Sequence, residues 1–362
     1  MVVLLKITTR NPPMTFSKKI NAVRRSLTRG LTKNIGRKKN HPKIKEGEQF
    51  DVKRILISRP NGRLGNLLMI TPLVQEIENT FPDCKIDLFV KGTLPPILFK
   101  NYKSINHIIH LPKRPFKELL KYMKVWTKIK AQRYDLAINI GKNSSSGRIS
   151  TQISNARFKI FGDENEDASN RSEDFQHMAK APVYNFRRFL SEVGFAVSNS
   201  KVLPLNLKLD SQELLNGQEI VNSFFENDKK TISIFTYATC EKCYSQLWWK
   251  KFYQQLKTEF AEYNFLEILP MENVSQIDFQ ATSFYSKDVR EIGAVIANTC
   301  LFIGADSGIM HLASSVKTPT FGLFSVTNPV IYAPYNPKSV AIDTNSFPTE
   351  AYMEVLRSML DC

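Results

Sequence analysis

Residues 300–324 read CLFIGADSGIMHLASSVKTPTFGLF. An apolar run ends at Gly304, Asp306 and Ser307 stand where a helix N-cap belongs, and Gly308 opens a helix that carries His311 on its first turn. The first backbone N–H groups of a helix have no partner within it and lie at the positive end of its dipole, and glycine lets an anion come close. Phosphate chemistry follows, and the pyrophosphate of a nucleotide-sugar suits such a turn. Capping of the helix alone would also account for Asp306 and Ser307.

Such a turn needs a parallel sheet behind it, because ligands of open α/β sheets bind beyond the carboxyl ends of the strands. From Lys53 onward, short apolar runs alternate with helical patterns. Strands are expected at Arg54 to Ser58, Lys85 to Val90, His107 to Leu111 and Tyr134 to Ile140. Helices are expected from about Leu67 to Thr80, from Phe116 to Gln132 and around Tyr184 to Val193. Gly141 to Arg148 and the acidic stretch Gly162 to Asp174 read as loops, and Val202 to Leu209 as a linker. The alternation restarts after Asp210, with strands at Thr231 to Thr236, Phe265 to Leu269, Cys300 to Gly304 and Thr320 to Phe324. The expected architecture is α/β: a basic leader over 1–50, then two doubly wound Rossmann-like domains, 51–209 and 210–362, facing a cleft.

Composition agrees. The chain has 362 residues, 42% of them hydrophobic, enough for two cores. No apolar run approaches the length that spans a bilayer. Five scattered cysteines make no disulfide framework, so a cytoplasmic protein is expected. The net charge of +16 suggests nucleic acid until it is located. Residues 1–45 hold 13 Lys and Arg and no Asp or Glu, which leaves 37 basic against 34 acidic residues elsewhere. Within the leader Phe16, Ile20, Val23, Leu27, Leu31 and Ile35 recur at helical spacing among lysines and arginines. A basic amphipathic helix over 16–45 would lie on an anionic membrane surface at the inner face of the cytoplasmic membrane. A solvated tail is the alternative, Met14 is a second candidate start, and a near-neutral remainder argues against specific nucleic-acid binding.

The stretch D-S-G-x-x-H-L-A, with Pro319 and Gly322 after it, resembles the signature of the heptosyltransferases, glycosyltransferase family nine, whose fold is GT-B. Residues 54–90, with a Gly-containing loop, Thr71-Pro72 and Phe81-Pro82, are similar to the family's opening unit. The resemblance covers most of 53–335. It implies inverting transfer of a sugar from an ADP-heptose-like donor to a glycolipid or glycan acceptor such as lipopolysaccharide core. It also implies sugar hydroxyls on Asp306, diphosphate on Ser307 and Gly308, and a supporting role for His311, with no metal or separate cofactor. The first domain would bind acceptor and the second donor, with the last helix, Thr349 to Leu360, folded back on the first domain.

Two positions depart from the family pattern. The aspartate taken as general base follows the loop glycine; here Asn66 follows Gly65, and an amide accepts no proton at neutral pH. A catalytically weakened nucleotide-sugar-binding paralogue is therefore an alternative to an enzyme with a substitute base. The family also tends to place a phosphate-binding lysine two residues before a tryptophan; Gln246 stands there before Trp248, and Lys242 lies four positions earlier. Arg59, Arg63, Lys113 and Arg114 lie on loops near strand ends, where Arg59, Arg63 and Gly65 are candidates for contact with acceptor. Cys240 and Cys243 have metal-like spacing without a second pair, and His107 and His110 read as packing residues of an apolar strand.

Overall fold

The computed structural model describes residues 30, 32, 34–36, 51–112, 118–162 and 174–361. The leader up to residue 29, Lys113, Arg114 and most of the acidic loop lie outside the described residues. The first unit runs β1 (Arg54–Ser58), α1 (Leu64–Leu68), α2 (Thr71–Thr80), β2 (Lys85–Val90), α3 (Pro95–Leu98), β3 (Ile105–His110), α4 (Leu119–Ala131), β4 (Arg133–Asn139), α5 (Ser145–Ile153), β5 (Asn155–Ile160) and α6 (Ala181–Glu192). Its strands pair in parallel in the order β3-β2-β1-β4-β5. Successive residues of β1 serve opposite faces: Ile55 and Ile57 join one core, Leu56 the other with Phe89, Ile109 and Ile129 of α4. A strand covered on both sides must be apolar throughout, which is why β1 reads as a run and not an alternation.

The second unit runs α7 (Ser211–Phe224), β6 (Thr231–Phe235), α8 (Gln246–Glu259), β7 (Asn264–Ile268), β8 (Thr282–Phe284), α9 (Val289–Ala297), β9 (Leu301–Ala305), α10 (Gly308–Ser315), β10 (Thr320–Phe324), α11 (Pro329–Tyr332), β11 (Val340–Asp343) and α12 (Thr349–Leu360). The strand order is β11-β10-β9-β6-β7-β8, again all parallel. Two Rossmann-like units are present, as expected, and among the described residues no helix is long and apolar enough to cross a membrane.

The differences have local causes. The helix expected from Leu67 to Thr80 is two, α1 and α2, with Pro72 at the start of the second. The loop expected at Gly141 to Arg148 contains the start of α5, whose N-cap Ser144 accepts from the Gly147 N–H at 3.1 Å. Few apolar residues mark that helix. His107 is not a packing residue: β3 is an edge strand, and the half-exposed ring lies 3.1 Å from the buried Asp87 carboxylate.

The segment 202–209 is no slack tether, since Leu205 and Leu207 are buried. Tyr102 donates to the Asn206 carbonyl at 2.6 Å, and Arg290 donates to the carbonyls of Leu207 and Lys208 while gripping Glu213 through two 2.6 Å bonds. The two units are thus fixed together at this edge. Helix α12 does not fold back on the first domain. Tyr352, Met353, Leu356 and Met359 pack with Trp249, Phe252 and Phe321 of the second unit, whose sheet would otherwise expose that face. The described part of the leader does touch the first domain: Thr32 donates to Ser145 at 3.0 Å, and Arg148 donates to the Ile35 carbonyl.

Candidate active site

In each sheet the chain builds outward from its first strand in one direction and then returns to that strand's other side. The reversals fall between β1 and β4 and between β6 and β9. Loops at such points diverge and leave a crevice at the strand ends. The loop after β1 carries Arg59 to Arg63, the loop after β6 carries Lys242, and Asp306 follows β9. Leu64 and Gly65, just past the first of these loops, meet the turn that follows Asp306.

Asp306 is the centre of the second domain's share. Its N–H donates to the Leu323 carbonyl at 3.0 Å, which fixes the turn, and its carboxylate is buried. Thr327 donates to Oδ2 at 2.6 Å and the Lys242 ammonium donates to the same oxygen at 3.2 Å. Ser307 caps α10 by accepting from the Met310 N–H at 3.2 Å. The N–H groups of Gly308 and Ile309 precede the first bond within the helix and have no partner in it. His311 lies with Nε2 3.7 Å from Asp306 Oδ1, and burial lowers its pKa to about 4, so the imidazole is neutral.

The first domain meets this turn directly. A Cβ on Gly65 would stand 2.5 Å from the His311 ring, and one on Gly308 would stand 3.0 Å from the Leu64 Cβ. Glycine at these two positions is what lets α1 and α10 approach, so Gly308 serves the packing of the domains as well as any phosphate. Beside Gly65, Asn66 accepts through Oδ1 from Arg59 Nη2 at 2.6 Å. Arg59 is 8% exposed, its Nε has no hydrogen-bond partner, and it forms no ion pair among the described residues. Burial lowers the guanidinium pKa, with Tyr332 acting in the opposite direction.

A third contact lies beside these. His177 is buried, and its Nε2 donates to the Ala333 carbonyl at 2.9 Å while Nδ1 accepts from the Ala179 N–H at 3.2 Å. Burial lowers its pKa to about 4. Its ring meets Tyr335 edge-on at 4.9 Å, and Lys180 lies over the same tyrosine.

Of the residues singled out in the sequence, Asp306, Ser307, Gly308, His311, Gly65, Asn66 and Arg59 come together. Arg63 is exposed at the N-cap of α1, where among the described residues only its backbone is engaged, its N–H donating to Asn61 Oδ1 at 3.0 Å. Gln246 is exposed on the first turn of α8 and bonds to none of the Asp306 cluster. Lys242 takes the place beside Asp306 that spacing assigned to Gln246. It was missed because the helical turn Cys240–Lys242, entered with Cys240 at φ 58, redirects the loop. Thr327 and His177 carried no sequence signal, since each acts through a distant partner.

Comparison with known proteins agrees with this geometry. Residues 286–358, which include the Asp306 turn, match the family model described as glycosyltransferase family 9 (heptosyltransferase). Lipopolysaccharide heptosyltransferase 3 of Escherichia coli is 22% identical over 327 residues, covering 81% of this chain and 92% of the relative. The chain is thus similar to the heptosyltransferases. A second relative, the lipopolysaccharide core heptosyltransferase OpsX of Haemophilus influenzae, is 22% identical over 290 residues, covering 75% of this chain and 79% of the relative. Among solved structures, a family 9 glycosyl transferase of Veillonella parvula superposes with a TM-score of 0.67 at 17% identity, covering 87% and 99% of the two chains. The E. coli heptosyltransferase WaaC with ADP gives a TM-score of 0.63 at 13% identity, covering 84% and 99%. The fold of this chain is therefore GT-B, and the relatives it resembles are glycosyltransferases.

Proposed function

We propose that the protein transfers a sugar, a heptose, from an ADP-heptose-like nucleotide-sugar to a lipopolysaccharide-core or related envelope glycan, with inversion at the anomeric carbon. The observation that carries this reading is the Asp306 turn: the first helix N–H groups and the Lys242 ammonium at one strand end, opposed across the domain junction by a buried Arg59 that forms no ion pair among the described residues. The diphosphate leaves against the helix N-terminus and Lys242, where no metal is needed to balance its charge. Leu64 covers one side of Gly308, so the diphosphate approaches from the side of Asp306 and Thr327.

On the opposite wall Arg59, held by Asn66, binds an anionic group of the acceptor, and Asn66 orients the attacking hydroxyl. An amide does not take its proton. We assign that role to the neutral imidazole of His311, which lies against Gly65 and is backed by Asp306. The enzyme works at the inner face of the cytoplasmic membrane, which the basic leader helps it reach. The deciding experiment is transfer from a panel of nucleotide-heptoses and other nucleotide-sugars to cell-derived glycolipid. Turnover of one donor with release of its nucleoside diphosphate supports the reading; binding without turnover, restored by Asn66→Asp, identifies a weakened paralogue instead.

A further inference from the structure

Helix α4 is buried along one side only. Tyr122, Val125, Trp126 and Ile129 recur at three- and four-residue spacing and pack on Leu56, Phe89 and Ile109. The outward side carries Leu119, Leu120 and Met123, which are 57%, 77% and 54% exposed. Single exposed apolar residues are ordinary, but three on the opening turns of one helix are a patch. The same helix has four lysines, Lys121, Lys124, Lys128 and Lys130, and no acidic residue. Lys121 pairs with Glu118 at 3.4 Å, while the other three form no ion pair among the described residues.

The position of the patch is as telling as its composition. Helix α4 follows β3, so its first turn lies toward the carboxyl ends of the strands, where Arg59 and Asn66 sit. Helix α4 also packs on α5, whose first residue, Ser145, holds Thr32. The leader with its 13 basic residues is therefore tied to the domain at the same end.

We infer that the outward face of α4 is a membrane-docking surface: Leu119, Leu120 and Met123 enter the acyl boundary of an anionic bilayer and Lys124, Lys128 and Lys130 meet lipid phosphates. Apolar residues inserting among unpaired lysines are the combination that an anionic interface selects. A second copy of this chain fits poorly, because a two-fold contact would set these lysines against one another. Docked in this way, the acceptor side of the cleft opens toward the bilayer, so a lipid-borne acceptor reaches Arg59 without leaving it. That benefit rests on the glycolipid reading above; the docking does not.

The test is partition of the full chain onto vesicles of a zwitterionic lipid with about 30 mol% phosphatidylglycerol, at the lipid concentration that binds half of the wild type. Leu119→Asn/Leu120→Asn/Met123→Asn and, separately, Lys124→Glu/Lys128→Glu are each expected to lower the partition coefficient about tenfold or more. All of these positions are exposed, so thermal melts should match the wild type. Deleting residues 1–45 should weaken binding further in both backgrounds. Wild-type partition in both α4 variants overturns the proposal, as does a wild-type dimer that the apolar variant dissolves while vesicle binding stays unchanged. The vesicles carry no glycan, so failure of docking is read apart from failure of transfer, and both variants should retain wild-type rates on a water-soluble acceptor fragment.

Discussion

Arg59 donates through Nη2 to Asn66 Oδ1 at 2.6 Å, so the amide is held by a buried cation that pairs with no carboxylate among the described residues. A buried charge without a partner costs stability, and its retention at a strand end suits an anionic ligand. Arg59→Met should therefore leave stability within about 1 kcal/mol of wild type or raise it. Transfer should fall through a KM for acceptor raised about tenfold or more, because charge-assisted bonds are worth about 1.5–3 kcal/mol. Calorimetric affinity for donor should not change. A variant with normal acceptor KM would remove Arg59 from the acceptor site.

Lys242 and Gln246 are rival occupants of one role, and the structure places only Lys242 at Asp306, 3.2 Å away. Lys242→Ala should weaken binding of nucleoside diphosphate about tenfold, with the loss reduced at high salt, whereas Gln246→Ala should bind as the wild type does. Isothermal titration with ADP is enough to decide. Equal losses in the two variants would show that α8 moves its first turn onto the ligand.

The parts of this chain legible in its sequence were those whose cause is local. Strands β1 to β4, β6, β7, β9 and β10 read as apolar runs while β5, β8 and β11 did not, and the Asp306 to Gly308 turn read as a capped helix start, because cap, glycine and strand end are neighbours in the chain. Helix α5 was not legible: its stability comes from Ser144 capping and from Ser150 and Arg148 bonding to distant segments, not from an apolar stripe. Placement of α12 was not legible either, since the same amphipathic pattern would cover either sheet, and the choice rests on the aromatic surface of Phe252 and Phe321. Lys242 shows a third limit. Sequence offset locates a residue only when the backbone between is regular, and here one left-handed residue changes where the loop points.

His177 and His311 give the domain junction a pH dependence. Both are buried, and desolvation is the largest cause that lowers each from 6.5 to about 4. A histidine depressed in the folded state is protonated first in the unfolded chain, so its contribution is complete above pH 6.5 and is lost as pH falls toward 4. Each should cost up to about 3 kcal/mol over that window. Chemical-denaturation midpoints of the wild type should fall across it, and His177→Gln should flatten the slope. An unchanged slope in that variant would mean that the ring is not desolvated in solution.

The last prediction is for Asn66→Asp. If the pocket merely lacked its base, a carboxylate at 66 would take the acceptor proton and raise turnover by about 10²–10⁴-fold. The contact with Arg59 argues otherwise. A carboxylate at that distance from a buried guanidinium gains a charge-assisted pair, which lowers its pKa and weakens it as a base. It also neutralises the cation proposed above to hold the acceptor's anionic group. Asn66→Asp should therefore melt higher than the wild type at pH 7, with the gain lost as pH falls through the lowered pKa of the new carboxyl, and should transfer no faster. Turnover and thermal melting of the two proteins, measured on the same donor and acceptor, separate the cases. A gain of tenfold or more in kcat without a rise in melting temperature would show that residue 66 is free of Arg59 in the working enzyme and that the missing aspartate is what limits it.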